Sequence, residues 1–144
     1  MVEIRPFAEQ DEAEVVALWR EAFRDVPSWN DPQLDIQRKL SIQRELFLVA
    51  VVAGAVVGSA MAGYDGHRGW VYYVAVRSSY RRMGVGATLM QRVESSLFAL
   101  GCPKLNLQVR SANAGAVRFY RDLGYLEEDR VSMGKVLTKQ RSGA

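Results

Sequence analysis

Arg81, Arg82, Gly84 and Gly86 are the residues whose types and spacing point most directly to chemistry. They follow the apolar stretch Val74-Ala75-Val76 and, with Met83, Val85 and Ala87 between and after them, lead into an amphipathic run. A strand therefore passes through a short basic turn and two glycines into a helix. Glycine removes the side chains that hold a ligand away from the backbone, and the first turn of a helix offers free N–H groups at the positive end of its dipole. The chemistry this suits is the binding of a phosphate or pyrophosphate. A tight strand-to-helix connection with no ligand uses the same residues, so spacing alone leaves both readings open. Two other phosphate loops are excluded. A Walker loop ends in Gly-Lys-Ser/Thr, whereas Gly86 is followed by Ala87 and Thr88. A dinucleotide-binding turn needs a third glycine after the first strand of an alternating series, and this turn lies beyond the middle of the chain.

Other reactive side chains are sparse. The single cysteine, Cys102, sits in Gly101-Cys102-Pro103 and excludes an internal disulfide framework or a cysteine metal cluster; its position favours packing. One histidine, His67, argues against zinc chemistry, which uses several His or Cys ligands. A net charge of +3, with basic residues scattered apart from Arg81-Arg82 and a tail carrying Lys135, Lys139 and Arg141, gives no stripe for nucleic acid. A patch of that size suits a phosphorylated cofactor. About half of the residues are apolar, yet no run of about 18 apolar residues exists and the N-terminus lacks the pattern of a signal peptide. A soluble, cytoplasmic protein with no membrane partner is expected, as one domain spanning residues 1–144 and ending in a loose tail at 141–144.

The elements that must position these residues follow from periodicity. A short strand is expected at 2–7, then a helix opened by Gln10-Asp11-Glu12 with Val15, Leu18, Trp19, Ala22 and Phe23 on one stripe. Pro27-Ser28-Trp29-Asn30-Asp31-Pro32 breaks it, and Asp31 with Pro32 caps a second helix reaching roughly Arg44, with Trp29 as either a lid or a core anchor. Strands at 46–52 and 55–64 join through Ala53-Gly54, and a loop at 65–69 leads to a strand at 70–76 that reads as apolar on both faces and hence central. The helix from Gly84 carries Val85, Leu89, Met90, Val93, Leu97 and Leu100 and stops at Gly101. A strand at 104–109, a helix capped by Asn113 and closed by Gly124, and strands near 126–129 and 131–136 complete the chain.

The pattern Arg81-x-x-Gly84-x-Gly86 after Val74-Ala75-Val76 resembles the acetyl-coenzyme A loop of the GCN5-related N-acetyltransferase (GNAT) superfamily. The stretch from Asn113 through Ala116, Tyr120, Leu123 and Gly124 to Tyr125 is similar to that family's C-terminal signature, and the element order is the family's. Trp29-Asn30-Asp31-Pro32 and the loop from Gly63 to Gly69 further resemble a bacterial subfamily typified by YpeA. The resemblance implies an α/β (α+β) fold: a central mixed, mostly antiparallel sheet of about seven strands flanked by about four helices. It implies acetyl-coenzyme A as cosubstrate, no metal, and transfer of acetyl to an amine by direct attack in a ternary complex. The backbone N–H groups of Arg82, Met83, Gly84, Val85, Gly86 and Ala87 would hold the pyrophosphate beside Arg81. Val74 and Val76 would pair with the pantetheine arm, Asn113 would lie near it, and Tyr120 would give a proton to the coenzyme sulfur.

The base is where the sequence departs from related N-terminal amine acetyltransferases, which often carry a glutamate where Gln108 stands. A lysine amine of pKa about 10.4 is neutral in roughly one molecule in a few thousand at pH 7, so a route for its proton is wanted. Asp65, His67, Tyr72 and Tyr73 are candidates through water, with Asp65 and Tyr73 the ones carried forward; Asp65 and His67 also read simply as loop residues. Asp31, Asp35 and Asp65 can attract a cationic amine, and Trp29, Tyr64 and Tyr72 can line an apolar throat. The acceptor stays open among a polypeptide N-terminus, a protein lysine and a small amine, and the chain as monomer or homodimer. The rival function is a noncatalytic acyl-coenzyme A-binding or sensing module.

Overall fold

The sheet is built from three consecutive antiparallel pairings and one short parallel one. In the computed structural model, which describes residues 1–24, 27 and 29–137, the strands are β1 (Glu3–Pro6), β2 (Phe47–Val52), β3 (Ala55–Tyr64), β4 (Gly69–Val76) and β5 (Leu105–Asn106), side by side in chain order. The β2–β3 turn places Ala53 and Gly54 at φ of +50° and +82°, the pair of left-handed residues that a two-residue hairpin requires. Ser28 of the expected helix break, and the tail residues Lys139 and 141–144, lie outside the described residues.

Four helices, α1 (Glu12–Ala22), α2 (Pro32–Leu40), α3 (Val85–Ala99) and α4 (Ala114–Asp122), cover the sheet. Strand alternation divides the core between its faces. Phe47, Val49 and Val51 join Val15, Trp19 and Ile36 of α1 and α2. Leu46, Leu48 and Ala50 join Leu89, Met90, Val93 and Leu97 of α3. Being covered on both sides, β2 reads as the unbroken apolar run Phe-Leu-Val-Ala-Val-Val.

Several boundaries differ from the sequence expectation for physical reasons. The second helix stops at Leu40, short of Arg44, because Gln43 takes φ of +52° and turns its amide onto the end of β3. There Gln43 Nε2 donates to Tyr64 O at 2.9 Å and Tyr64 N donates to Gln43 Oε1 at 2.8 Å, so a side chain stands in for a neighbouring strand. The fold class is as expected, but the sheet has five strands among the described residues, where about seven were expected. The stretches 126–129 and 131–136 form no ladder. Glu128 binds Lys104 and Asn106 through its side chain, and Gln108 Nε2 donates to Ser132 Oγ, so this segment meets the β5 region through side chains. Leu126, Val131 and Met133 are exposed, and without a covered face the alternation brings no burial to favour pairing. Neither is β4 buried on both faces: Tyr72 is 53% exposed, and Trp70, Val74 and Val76 are half-buried.

Candidate active site

β4 and β5 pair only at Gly69↔Leu105 and Trp70↔Asn106, and beyond that point the two chains part. The gap is a cleft of about 790 Å³, with Val71, Tyr72, Tyr73 and Val74 on one wall and Leu107, Gln108, Val109 and Arg110 on the other. Asn113, Ala116 and Tyr120 of the α4 region and Glu21, Phe23 and Asp35 of the α1–α2 side close its ends. A strand that parts from its neighbour leaves backbone polar groups facing the opening, where an extended ligand can pair with them.

A bulge sits in the middle of that wall. Ser59 pairs with Ala75 and Met61 with Tyr72, so Tyr73 and Val74 together oppose the single residue Ala60. Tyr73 accordingly takes φ of +53°. The strained position is held from behind: Trp19 Nε1 donates to the buried Ser59 Oγ at 2.8 Å, and Ser59 Oγ donates to Tyr73 O at 2.7 Å. The Tyr73 ring stacks on Trp19 at 3.8 Å, and its hydroxyl donates to Asp35 Oδ2 at 2.5 Å. Among the described residues no peptide bond is cis, so the Val74 N–H points opposite to the Tyr73 carbonyl and hence away from the Ser59 hydroxyl that this carbonyl faces.

The glycine turn lies past the end of β4. Gly84, at φ of +80°, caps α3 without a side chain, and the first helical bond runs from Thr88 N to Gly84 O, leaving the N–H groups of Val85, Gly86 and Ala87 ahead of it. A Cβ at Gly84 would meet nothing within 4 Å, which leaves open space over the helix end. Gly86 has another role: a Cβ there would stand 3.0 Å from the Phe119 ring, so this glycine lets α4 pack on α3. Arg81, Arg82 and Met83 are exposed around the turn, with Arg82 at φ of +65°. Among the described residues, no group of three His, Cys, Asp or Glu is arranged to hold a metal, and no helix is long and apolar enough to cross a membrane.

The remaining expected site residues divide. Tyr120 lines the cleft, half-buried, with burial pushing its hydroxyl up to about 12. Asn113 also lines it and at the same time caps α4, its Oδ1 accepting from Ala116 N at 3.0 Å. Tyr73 is in the cleft wall, but burial and the Asp35 bond raise its pKa, so it holds its proton throughout the ordinary range. Asp65 is not brought to the cleft: its Oδ1 accepts from Arg68 N at 2.7 Å and His67 N at 2.8 Å, and those bonds lower its pKa. Trp29 is 45% exposed in the turn before α2. Ser59 and Trp19 were not among the expected site residues. They lie 40 positions apart, and no local pattern marks their convergence on the bulge.

Residues 13–125 match the family described as Acetyltransferase (GNAT) family. An acetyltransferase of Yersinia enterocolitica is 48% identical over 136 residues, 94% of this chain and 96% of the relative. Among solved structures, Ard1 from Thermoplasma volcanium superimposes with a TM-score of 0.76 at 30% identity, covering 87% of this chain and 82% of that one. AAC(6')-Iy, solved with the bisubstrate analogue CoA-S-monomethyl-acetylneamine, has a TM-score of 0.79 at 18% identity over 96% of this chain and 99% of its own, a likeness of fold.

Proposed function

The chain belongs to the acetyltransferase (GNAT) family, and from that premise we propose that it moves the acetyl group of acetyl-coenzyme A directly to a primary amine in the cleft between β4 and residues 107–110. The observation that carries this reading is the parting of the strands, which opens a cleft with the bulge at Tyr73 and Val74 on one wall and Asn113 and Tyr120 at its end. The residues fit the acyl donor. The open space over Gly84, the leading N–H groups of α3 and the exposed Arg81 and Arg82 suit a pyrophosphate, and the edge of β4 at Val74 and Val76, which has no neighbouring strand there, suits the amide-bearing pantetheine arm.

The donor supplies an acetyl thioester, a carbon open to attack by a neutral amine. The chain supplies position and charge. Its Val74 N–H, opposite to the Tyr73 carbonyl that Ser59 holds, is offered to the thioester oxygen as that oxygen gains charge. Tyr120 holds a proton for the sulfur. On the acceptor side, Asp35 is the carboxylate that the cleft presents beside Tyr73, placed to attract an ammonium. Gln108 cannot take a proton, so the amine loses its proton to water and the rate climbs with pH toward the amine pKa. Thiol release from acetyl-coenzyme A with a panel of primary amines, followed from pH 6 to 10, checks this. Release no greater than background with every amine would sink the transfer reading in favour of a binding module.

Ser59 gives a second test of the same site. Ser59→Ala strips the buried Trp19 N–H of its acceptor, a loss that costs about 1–3 kcal/mol, and the part-buried Tyr73 carbonyl of its donor. The peptide plane that aims the Val74 N–H is then loosened. Losing an oxyanion donor outright costs about 10²- to 10³-fold, and loosening one is expected to lower kcat about 10-fold with the KM for acetyl-coenzyme A little changed. A kcat held at the parent value in the folded fraction would leave Ser59 with a packing role alone.

A further inference from the structure

Beside the cleft lies a second hollow of about 410 Å³, between α2 and the β3–β4 hairpin. The two spaces share Asp35, Met61 and Tyr72, so they meet at a neck beside the bulge. Resting on the acetyl-transfer reading above, we propose that this hollow is the acceptor subsite and takes a singly charged primary amine carried on one compact apolar body.

The lining decides the class. Ile42, Met61, Ala62 and Trp70, with the rings of Tyr64 and Tyr72, make the hollow mainly apolar, and its volume is at the small-ligand end of the usual range of about 300–1,000 Å³. Charge is concentrated at the neck. Asp35 is the one carboxylate shared by both spaces among the described residues; Oδ2 accepts the Tyr73 hydroxyl and Oδ1 lies 3.5 Å from Arg38. A carboxylate has about four acceptor positions, so room remains for an ammonium. Further in, the one other carboxylate of the lining, Asp65, is set against two cations, Arg38 and Lys39. Asp65 is bound into its own turn, Lys39 spends its ammonium on the Ala62 carbonyl, and Arg38 stands at the wall as a permanent cation. A polyamine or polycationic sugar would set its extra charges against that guanidinium and an apolar floor. An amine with an aromatic or branched aliphatic body leaves its charge at Asp35 and buries the rest.

The test compares phenethylamine with spermidine as acceptors, in the parent and in Ile42→Asp. Ile42 lines the hollow yet is 61% exposed, so the variant should fold, and an unchanged melting shift with coenzyme A confirms it. The parent is expected to favour phenethylamine at least about 10-fold in kcat/KM, and Ile42→Asp to raise the KM for phenethylamine about 10-fold with kcat and the KM for acetyl-coenzyme A unmoved. Spermidine used as well or better, or Ile42→Asp without effect on phenethylamine, overturns the proposal. Should no amine be acetylated, melting of the coenzyme A-saturated protein separates the two readings. A further rise with phenethylamine in the parent alone supports the hollow and sinks transfer, whereas no rise overturns the hollow as well.

Discussion

Tyr120→Phe is expected to lower kcat about 10²- to 10⁴-fold, the usual contribution of a general acid, with coenzyme A affinity nearly unchanged. The substitution removes one oxygen from a ring that packs edge-on against Phe119 and Tyr125. Among the described residues the hydroxyl has no hydrogen-bond partner, so it is available to a ligand in the cleft. Its pKa, pushed up to about 12 by burial, fixes the sign of the pH dependence. The proton is present throughout the range in which the acceptor amine becomes neutral, and activity should rise with pH without a falling limb until the hydroxyl ionises near 12. Against a free thiol of pKa about 8.5 the transfer is uphill by roughly 5 kcal/mol, at about 1.4 kcal/mol for each pKa unit. Burial raises the thiolate's own proton affinity in the same cleft and narrows that gap. Single-turnover rates and melting temperatures on one preparation separate chemistry from packing. A rate within a few-fold of the parent alongside a lowered melting temperature would return Tyr120 to the core.

The parts of this site legible in the sequence are those written in local pattern. Gly84 at the start of an amphipathic helix, and Asn113 followed by Ala116 and Tyr120, are short-range signatures whose geometry follows from capping and helical spacing, and both occur as read. What the sequence hid is set by distant contacts. The 70–76 run of apolar and aromatic residues looks like a strand buried on both sides, because an aromatic wall facing a ligand and one facing a core have the same composition. The bulge at Tyr73 depends on Trp19 and Ser59, and the Tyr73–Asp35 bond joins positions 38 apart. Asp65 shows the opposite case, a residue governed by its own turn. An aspartate before a glycine in a hairpin satisfies its own turn first, and here that local demand takes its carboxylate. The strands expected near 126–129 and 131–136 have apolar residues at a spacing of two only at Val131 and Met133, and both of these are exposed, so no face there has anything to bury against.

Coenzyme A at one hundred times its dissociation constant should stabilise the parent by about 2.7 kcal/mol, and Gly84→Asp should abolish that gain while Gly84→Asn keeps most of it. For a chain of this length the gain amounts to roughly 5–10 °C in melting temperature. Gly84 is the better of the two glycines to probe. At Gly86 any side chain first collides with Phe119, so lost binding there would be confounded with displaced packing of α4. At Gly84 a new Cβ meets no atom, and the cost is the left-handed backbone at φ of +80°, which Asn and Asp tolerate better than other residues. The two variants share shape and strain and differ by one negative charge, placed where the leading N–H groups of α3 would receive a pyrophosphate. Like charge at that point opposes the ligand, and a helix N-terminus otherwise favours an acid, so Gly84→Asp should be no less stable than Gly84→Asn when coenzyme A is absent. Only the ligand-bound state distinguishes them. Equal melting shifts in the two variants would move the anion away from this turn, and a parent that melts unchanged at millimolar coenzyme A would remove the donor site altogether.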